Sequence, residues 1–184
     1  MARVFDEITP PVQELIEAQP LFFVATAPSG PDGHVNLSPK GLDTFAVLGP
    51  REVAYLDLTG SGAETIAHLR DNGRITIMFC TFEGPPNIVR LYGRAEAIPI
   101  EDPRARDLLA QFPEHPGARS VVCVDIERVS TSCGYAVPLM AYQDDRSRLT
   151  EWADGKGPDG LAAYRAEKNA TSIDGLPAFP TPPS

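Results

Sequence analysis

The 184-residue chain predicts a mainly β (α+β) fold, an antiparallel barrel or curled sheet of about six to seven strands with peripheral helices. Three observations carry that expectation. Short runs rich in Val, Ile, Leu, Phe and Tyr recur between residues 21 and 131, each closed by a turn cluster. The 15 Gly and 19 Pro favour many turns and short elements over long helices. The runs are joined mainly by hairpin-type turns and do not alternate regularly with helices, which disfavours a doubly wound parallel sheet.

In chain order, residues 9–18 predict a helix, with Thr9 at the N-cap, Pro10 at the first helical position, and Val12, Leu15 and Ile16 on one face. Residues 21–27 read as an apolar strand, and the cluster PSGPDG at 28–33 as a hairpin turn into a strand at 34–38. Pro39 makes that strand end early or lie at an edge. Residues 44–48 and 52–58 form a second pair around Gly49-Pro50. A helix follows the glycine turn, with Ser61 and Glu64 at capping-box spacing and Asn72-Gly73 as its stop. Three further strands are expected at 74–82, 87–98 and 119–131, with Gly93 as a bulge or close-approach point. A helix is expected at 102–112. The last third changes character: two amphipathic helices at 146–153 and 157–170, then a proline-rich tail at 175–184 expected to be extended or mobile. The whole is expected to be a single domain, 1–184, with 146–170 as a helical extension.

Composition narrows the function classes. A net charge of -9 argues against nucleic acid and against anionic membrane surfaces, since both need clustered Lys and Arg. Cys80, Cys123 and Cys133 show no metal-type spacing, and their odd number fits reduced thiols in the cytoplasm. No signal-peptide pattern opens the chain, and no run approaches the roughly 20 apolar residues of a membrane span. With three scattered histidines and no GxSxG elbow, neither a zinc site nor a Ser/His/Asp set is expected, and no catalytic residue can be named. His34 and His68 are expected at the surface.

The stretch DLTGSGAETIAHLRDN at 57–72 organises the rest. A strand runs into a Gly/Ser/Thr turn that opens a helix. Turn N–H groups and the positive end of the helix dipole can converge on one phosphate. Upstream, HVNLSPKG supplies Lys40 as a counter-charge.

These two stretches, with NGRITIMF at 72–79 and RLYGRAE at 90–96, follow one another in an order that resembles the FMN-binding split-barrel proteins related to pyridoxamine 5'-phosphate oxidase. The resemblance covers residues 22–97 well. It implies a split β-barrel, a homodimer with FMN at the subunit interface, and a small-molecule substrate. It places Asn36, Leu37 and Ser38 beside the flavin ring and Lys40 at the ring or phosphate. Thr59, Gly60, Ser61 and Thr65 would surround the phosphate. Asn87 and Arg90 would reach the flavin from the other subunit. Two departures count against the oxidase's own activity. Glu64 and Thr65 stand where that enzyme has an Arg-Lys pair, and no His follows His115. Glu64 is therefore expected to turn back to the helix cap. The resemblance implies a flavin-dependent oxidoreductase; the alternatives are the same barrel using the deazaflavin F420, a non-catalytic flavin-binding module and, ranked last, a haem-handling barrel. The loop at 133–140 reads equally as a buried loop and as a substrate-pocket wall.

Overall fold

The structure, a computed structural model, describes residues 2–179. Its strands are β1 (Arg3–Phe5), β2 (Phe22–Thr26), β3 (Asn36–Lys40), β4 (Phe45–Gly49), β5 (Glu52–Leu58), β6 (Arg74–Cys80), β7 (Ile88–Pro99) and β8 (Ala118–Ser132). Its helices are α1 (Pro10–Glu17), α2 (Glu64–Asn72), α3 (Ala105–Leu109) and α4 (Arg148–Lys168). Every strand pairing is antiparallel, in the order β3-β2-β6-β7-β8-β5-β4, with β1 added on β8. The mainly β architecture is the expected one.

Alternation sets the inner face. In β2, Phe22, Val24 and Thr26 are buried while Phe23 and Ala25 are partly covered. Phe22 stacks on Phe79 at 5.7 Å between ring centroids and meets Tyr55 and Phe45 edge-on. Ile77, Leu91, Val124 and Val129 complete this core. Each such side chain contributes roughly 1.5–3 kcal/mol by leaving water. A second cluster packs Leu56 and Val121 against Phe112 beyond α3.

Several elements differ from the sequence expectation. β1 was not anticipated, because three residues carry too little alternation to register; its pairing with Val129–Thr131 holds it in place. β3 begins at Asn36 and continues through Pro39. It can do so because β3 is an edge, paired only with β2, so the missing N–H faces no strand. The helix expected over 102–112 shrinks to Ala105–Leu109, with single turns on either side, such as Phe112 N–H to Leu109 C=O at 3.1 Å. The two expected C-terminal helices are present as one run, broken at Gly157, where φ is 64°. Trp152 and Tyr164 meet across that break at 5.1 Å, with the Lys156 ammonium close to both rings.

The expected capping box does not form. The N-cap of α2 is Ala63, without a side-chain hydrogen bond, and Ser61 is exposed. Gly73 ends the helix in the left-handed region at φ 71°, as expected. His68, expected at the surface, is fully buried. The reason is the side of α2 on which it lies: its Nδ1 is 3.0 Å from Thr26 Oγ1 on β2, while Ala178, Leu176 and Phe179 pack on Ala63, Ile66 and Ala67 of the same helix. Leu176, Ala178 and Phe179 are thus packed, so 175–179 is not a free tail; Pro180, Pro182 and Pro183 lie outside the described residues.

The β7–β8 register slips between Tyr92 and Gly93, the expected bulge. A Cβ on Gly93 would collide with the backbone C=O of Asp125. Gly93→Ala should therefore cost about 2–3 kcal/mol by overpacking against backbone that cannot yield. A urea-unfolding midpoint equal to that of the parent protein would refute this close approach.

Candidate functional site

The turn between β5 and α2 rests on one buried carboxylate. Asp57 lies at the end of β5 with no exposure. Its Oδ1 accepts from Lys40 Nζ at 2.9 Å, and its Oδ2 from Arg119 Nε at 2.6 Å. Burial opposes its charge, but Lys40 and Arg119 outweigh that and hold its pKa at about 2. Arg119 is itself buried, 4% exposed, and also donates to Gly62 C=O at 3.0 Å and Asn169 Oδ1 at 2.9 Å. Asn169 Nδ2 in turn donates to Gly60 C=O at 3.0 Å. Two turn carbonyls are thereby held inward.

The turn's N–H groups are left free. Thr59 N–H is used on Gly117 C=O at 2.7 Å, but residues 60–66 donate to no backbone or side-chain acceptor among the described residues. Thr59 is fully buried, and its hydroxyl has no partner among those residues either. An unpartnered buried hydroxyl costs about 1–3 kcal/mol unless a water or a ligand answers it. A row of free N–H groups, a helix N-terminus and two nearby cations suit an oxyanion. Glu64 would oppose one. Its carboxylate folds over Gly62, and its Oε1 accepts from the Ile173 N–H at 3.3 Å. It is engaged with the C-terminal segment and not with the helix cap.

A second polar group adjoins the first. Asn36 Nδ2 donates to Thr26 Oγ1 at 3.1 Å and to Thr65 Oγ1 at 2.9 Å, while Asn36 Oδ1 accepts from Ser38 Oγ at 2.9 Å. Thr26 Oγ1 shares a 3.0 Å hydrogen bond with His68 Nδ1. The packing that produces this is local: Thr26 and Asn36 are register partners on β2 and β3, and α2 lies across them. Leu37 points the other way, 66% exposed.

Of the residues singled out from sequence, Asn36, Ser38 and Thr65 therefore touch, and Lys40 joins the Thr59–Gly60–Ser61 turn through Asp57. Asn87 and Arg90 stand apart on the far side of β6. Asn87 N–H donates to Thr81 Oγ1 at 2.8 Å, and Arg90 donates to Ser132 Oγ at 3.2 Å. Sequence reasoning missed Asp57, Arg119, Asn169 and Thr26. Asp57 did leave a signal: an acid inside the apolar run 53–58.

A cavity of about 1200 Å³ begins one residue past Lys40. Leu42, Phe82, Met140, Tyr142 and Trp152 line it. Leu42 and Asp43 take left-handed φ angles of 63° and 53°, strain that a rim can store. The 140–142 segment is clipped across it by Met140 N–H to Phe82 C=O at 3.0 Å and Tyr142 N–H to Glu83 Oε1 at 3.3 Å. Met140 thus walls a pocket, while Cys133, Tyr135 and Leu139 are exposed, so the loop is not buried.

The sequence pattern of the pyridoxamine 5'-phosphate oxidase family matches residues 8–133. The chain belongs to that family. The pyridoxamine 5'-phosphate oxidase family protein ustO of Aspergillus flavus is 40% identical over 196 residues, covering 97% of this chain and 78% of the relative. A candidate pyridoxamine 5'-phosphate oxidase from Lactobacillus delbrueckii superposes with a TM-score of 0.54 at 26% identity, over 68% of this chain and 94% of that one. A FAD-binding protein of Mesorhizobium loti shares the fold, with a TM-score of 0.50 at 16% identity over 71% of this chain and 96% of that one. The family match ends at Cys133, so Asn169 and the segment over α2 come from beyond it. No helix among the described residues is long and apolar enough to cross a membrane.

Proposed function

We propose that this family member binds FMN and works as a flavin-dependent oxidoreductase on a small molecule. One observation carries the reading. The turn at 59–63 combines free N–H groups, an unpartnered buried Thr59 hydroxyl and the Lys40–Asp57–Arg119 cluster beneath it. That donor set fits a phosphate monoester, with Thr59, Gly60, Ser61 and Thr65 around it and Lys40 supplying charge. Asn36, Leu37 and Ser38 on β3 then lie along the ring. When bound, the flavin supplies hydride or electron transfer; the protein orients it and excludes water. No side chain need act as acid or base for that transfer. Oxidation of pyridoxamine 5'-phosphate is not part of the proposal, since Glu64 and Thr65 replace the expected basic pair.

A second copy of the chain would complete the site by bringing Asn87 and Arg90 to the flavin. Exposed Tyr135, Leu139, Met140 and Tyr142 favour such a partner, since large apolar side chains seldom gather in water. The cavity beside Leu42 and Trp152 is the proposed place for the substrate.

Thr59→Val tests the phosphate assignment with two readouts of opposite sign. Valine keeps the shape and removes an unpartnered hydroxyl, so the flavin-free protein should melt at the same temperature or higher. FMN affinity, measured by quenching of flavin fluorescence, should fall about tenfold, the worth of one hydrogen bond to a phosphate. Equal affinity in the two proteins would remove Thr59 from the site. Titration with F420 in parallel separates the deazaflavin alternative. Reduction by NADH or NADPH with repeated reoxidation separates an enzyme from a flavin-binding module.

A further inference from the structure

The short turn from His115 to Gly117 supports both halves of the proposed site. On one side, Gly117 C=O accepts the Thr59 N–H at 2.7 Å and so fixes the residue that opens the candidate phosphate turn. On the other side, α4 rests on it. The His115 ring lies 3.1 Å from Thr150 Oγ1, and a Cβ added at Gly117 would stand 3.3 Å from the Cβ of buried Ala153. Leu149 and Trp152, from the same stretch of helix, wall the cavity. Among the described residues, the Thr150–His115 bond is the one hydrogen bond that joins residues 148–156 to anything beyond α4 and its N-cap. The protonation of the ring follows from a donor that cannot be reversed. Gly117 N–H gives its hydrogen to His115 Nδ1 at 3.0 Å, and a backbone N–H can only donate. Nδ1 is therefore bare, and neutral His115 carries its hydrogen on Nε2, where Thr150 Oγ1 accepts it. Turning the ring over would set carbon atoms against both groups. Burial, the leading influence, lowers the pKa of His115, and Asp154 on α4 pulls the other way. Glu114, next to it in the chain, is exposed; Arg119, two residues past the turn, is engaged by Asp57; the 59–62 turn carries no charge. A proton arriving at Nδ1 would face the Gly117 hydrogen, so that bond cannot outlast it.

We propose that His115 is a positioning residue that ties α4 to the turn at Thr59 while it is neutral and releases both when it takes up a proton, so that the phosphate turn and the cavity wall tighten and loosen together. The ligand half of this inference rests on the flavin reading; the latch between α4 and the turn does not. Its dependence on pH has one sign. A histidine that the fold keeps neutral lends its contribution in full above the ordinary value of about 6.5 and loses it as pH falls through the lowered one.

Two-bond proton–nitrogen correlation on the ¹⁵N-labelled, ligand-free protein at pH 8 reads the tautomer, with His115→Asn assigning the signal. The hydrogen is expected on Nε2; finding it on Nδ1 overturns the proposal. Trp152, the one tryptophan, reports on α4 by its emission. In the parent protein that emission should shift to the red in a step as pH falls from 8 to 5. His115→Asn should abolish the step, since its amide oxygen can take the Gly117 hydrogen two residues on but gains no proton in this range. An equal step in both proteins overturns the latch on α4. FMN titrations over the same range carry the ligand phosphate's own protonation near about pH 6 in both proteins. Beyond that shared part, the parent's affinity should fall about fivefold more than that of His115→Asn, the worth of one hydrogen bond. Equal falls overturn the tie to the phosphate turn. A parent protein that takes up no FMN overturns the flavin reading itself, whereas the tautomer and the Trp152 emission still decide the latch.

Discussion

Replacing Asp57 with Ala should destabilise the fold by about 3–5 kcal/mol, the cost of leaving a buried cation without its carboxylate. Arg119 would bear most of that cost, at 4% exposure with its Nε aimed at the missing oxygen. Lys40 would bear less, because its side chain is 20% exposed and can swing into water. Asp57→Asn should fall between, since the amide oxygen still accepts from Arg119 but the charge is gone. The same carboxylate makes stability depend on pH. Its folded pKa of about 2 lies below the ordinary 3.8. Its contribution is therefore complete above about pH 4 and is lost as pH falls through 2, amounting to about 2 kcal/mol. Urea unfolding at pH 7 and at pH 3 checks both statements. A loss under 1 kcal/mol in Asp57→Ala at pH 7 would mean that Arg119 finds other acceptors, and the turn would no longer depend on this pair.

The strands were legible because the chain alternates where one face is buried, as in Phe22–Thr26, and runs apolar where both are covered, as in Val53–Leu56. Pro39 announced an edge and Gly93 a bulge, and both are there for the reasons that restrict those residues. Local rules failed where distant chain intervened. Ser61 and Glu64 have the spacing of a capping box, yet Ile173, 109 residues on from Glu64, takes the carboxylate. His68 reads as a surface residue of an amphipathic helix, yet it lies on the side of α2 that meets Thr26 on β2, 42 residues back in the chain. The candidate phosphate turn was visible as a motif, and Lys40 as its neighbour. What positions them was not, since Arg119 and Asn169 reach the turn across 57 and 109 residues, with no short-range pattern to mark them. Asn87 and Arg90 are the reverse case. They were named through a family likeness that requires a second copy, and within one chain they meet none of the others.

Asn169 allows the turn's shape to be separated from its contacts. It is fully buried, it comes from a segment beyond the family match, and its side chain hydrogen-bonds Arg119 and Gly60 C=O at the proposed phosphate site. Asn169→Ala removes one hydrogen bond to a charged donor and one to a carbonyl, so a loss of about 2–3 kcal/mol is expected. Asp57 and Gly62 C=O continue to hold Arg119, which is why the loss should stay below that of Asp57→Ala. If the free N–H groups of the turn bind phosphate, they do so because their carbonyls are held inward, and freeing Gly60 should weaken FMN binding roughly tenfold although no flavin contact has been deleted. Asn169→Asp divides the two roles. A carboxylate still accepts from Arg119 but cannot donate to Gly60, so most of the stability should survive while flavin affinity does not. Equilibrium unfolding and FMN titration of the two variants together decide the matter. Parent-like flavin affinity in both would show that the turn holds its shape unaided, and Asn169 would then be a fastening for the C-terminal segment alone.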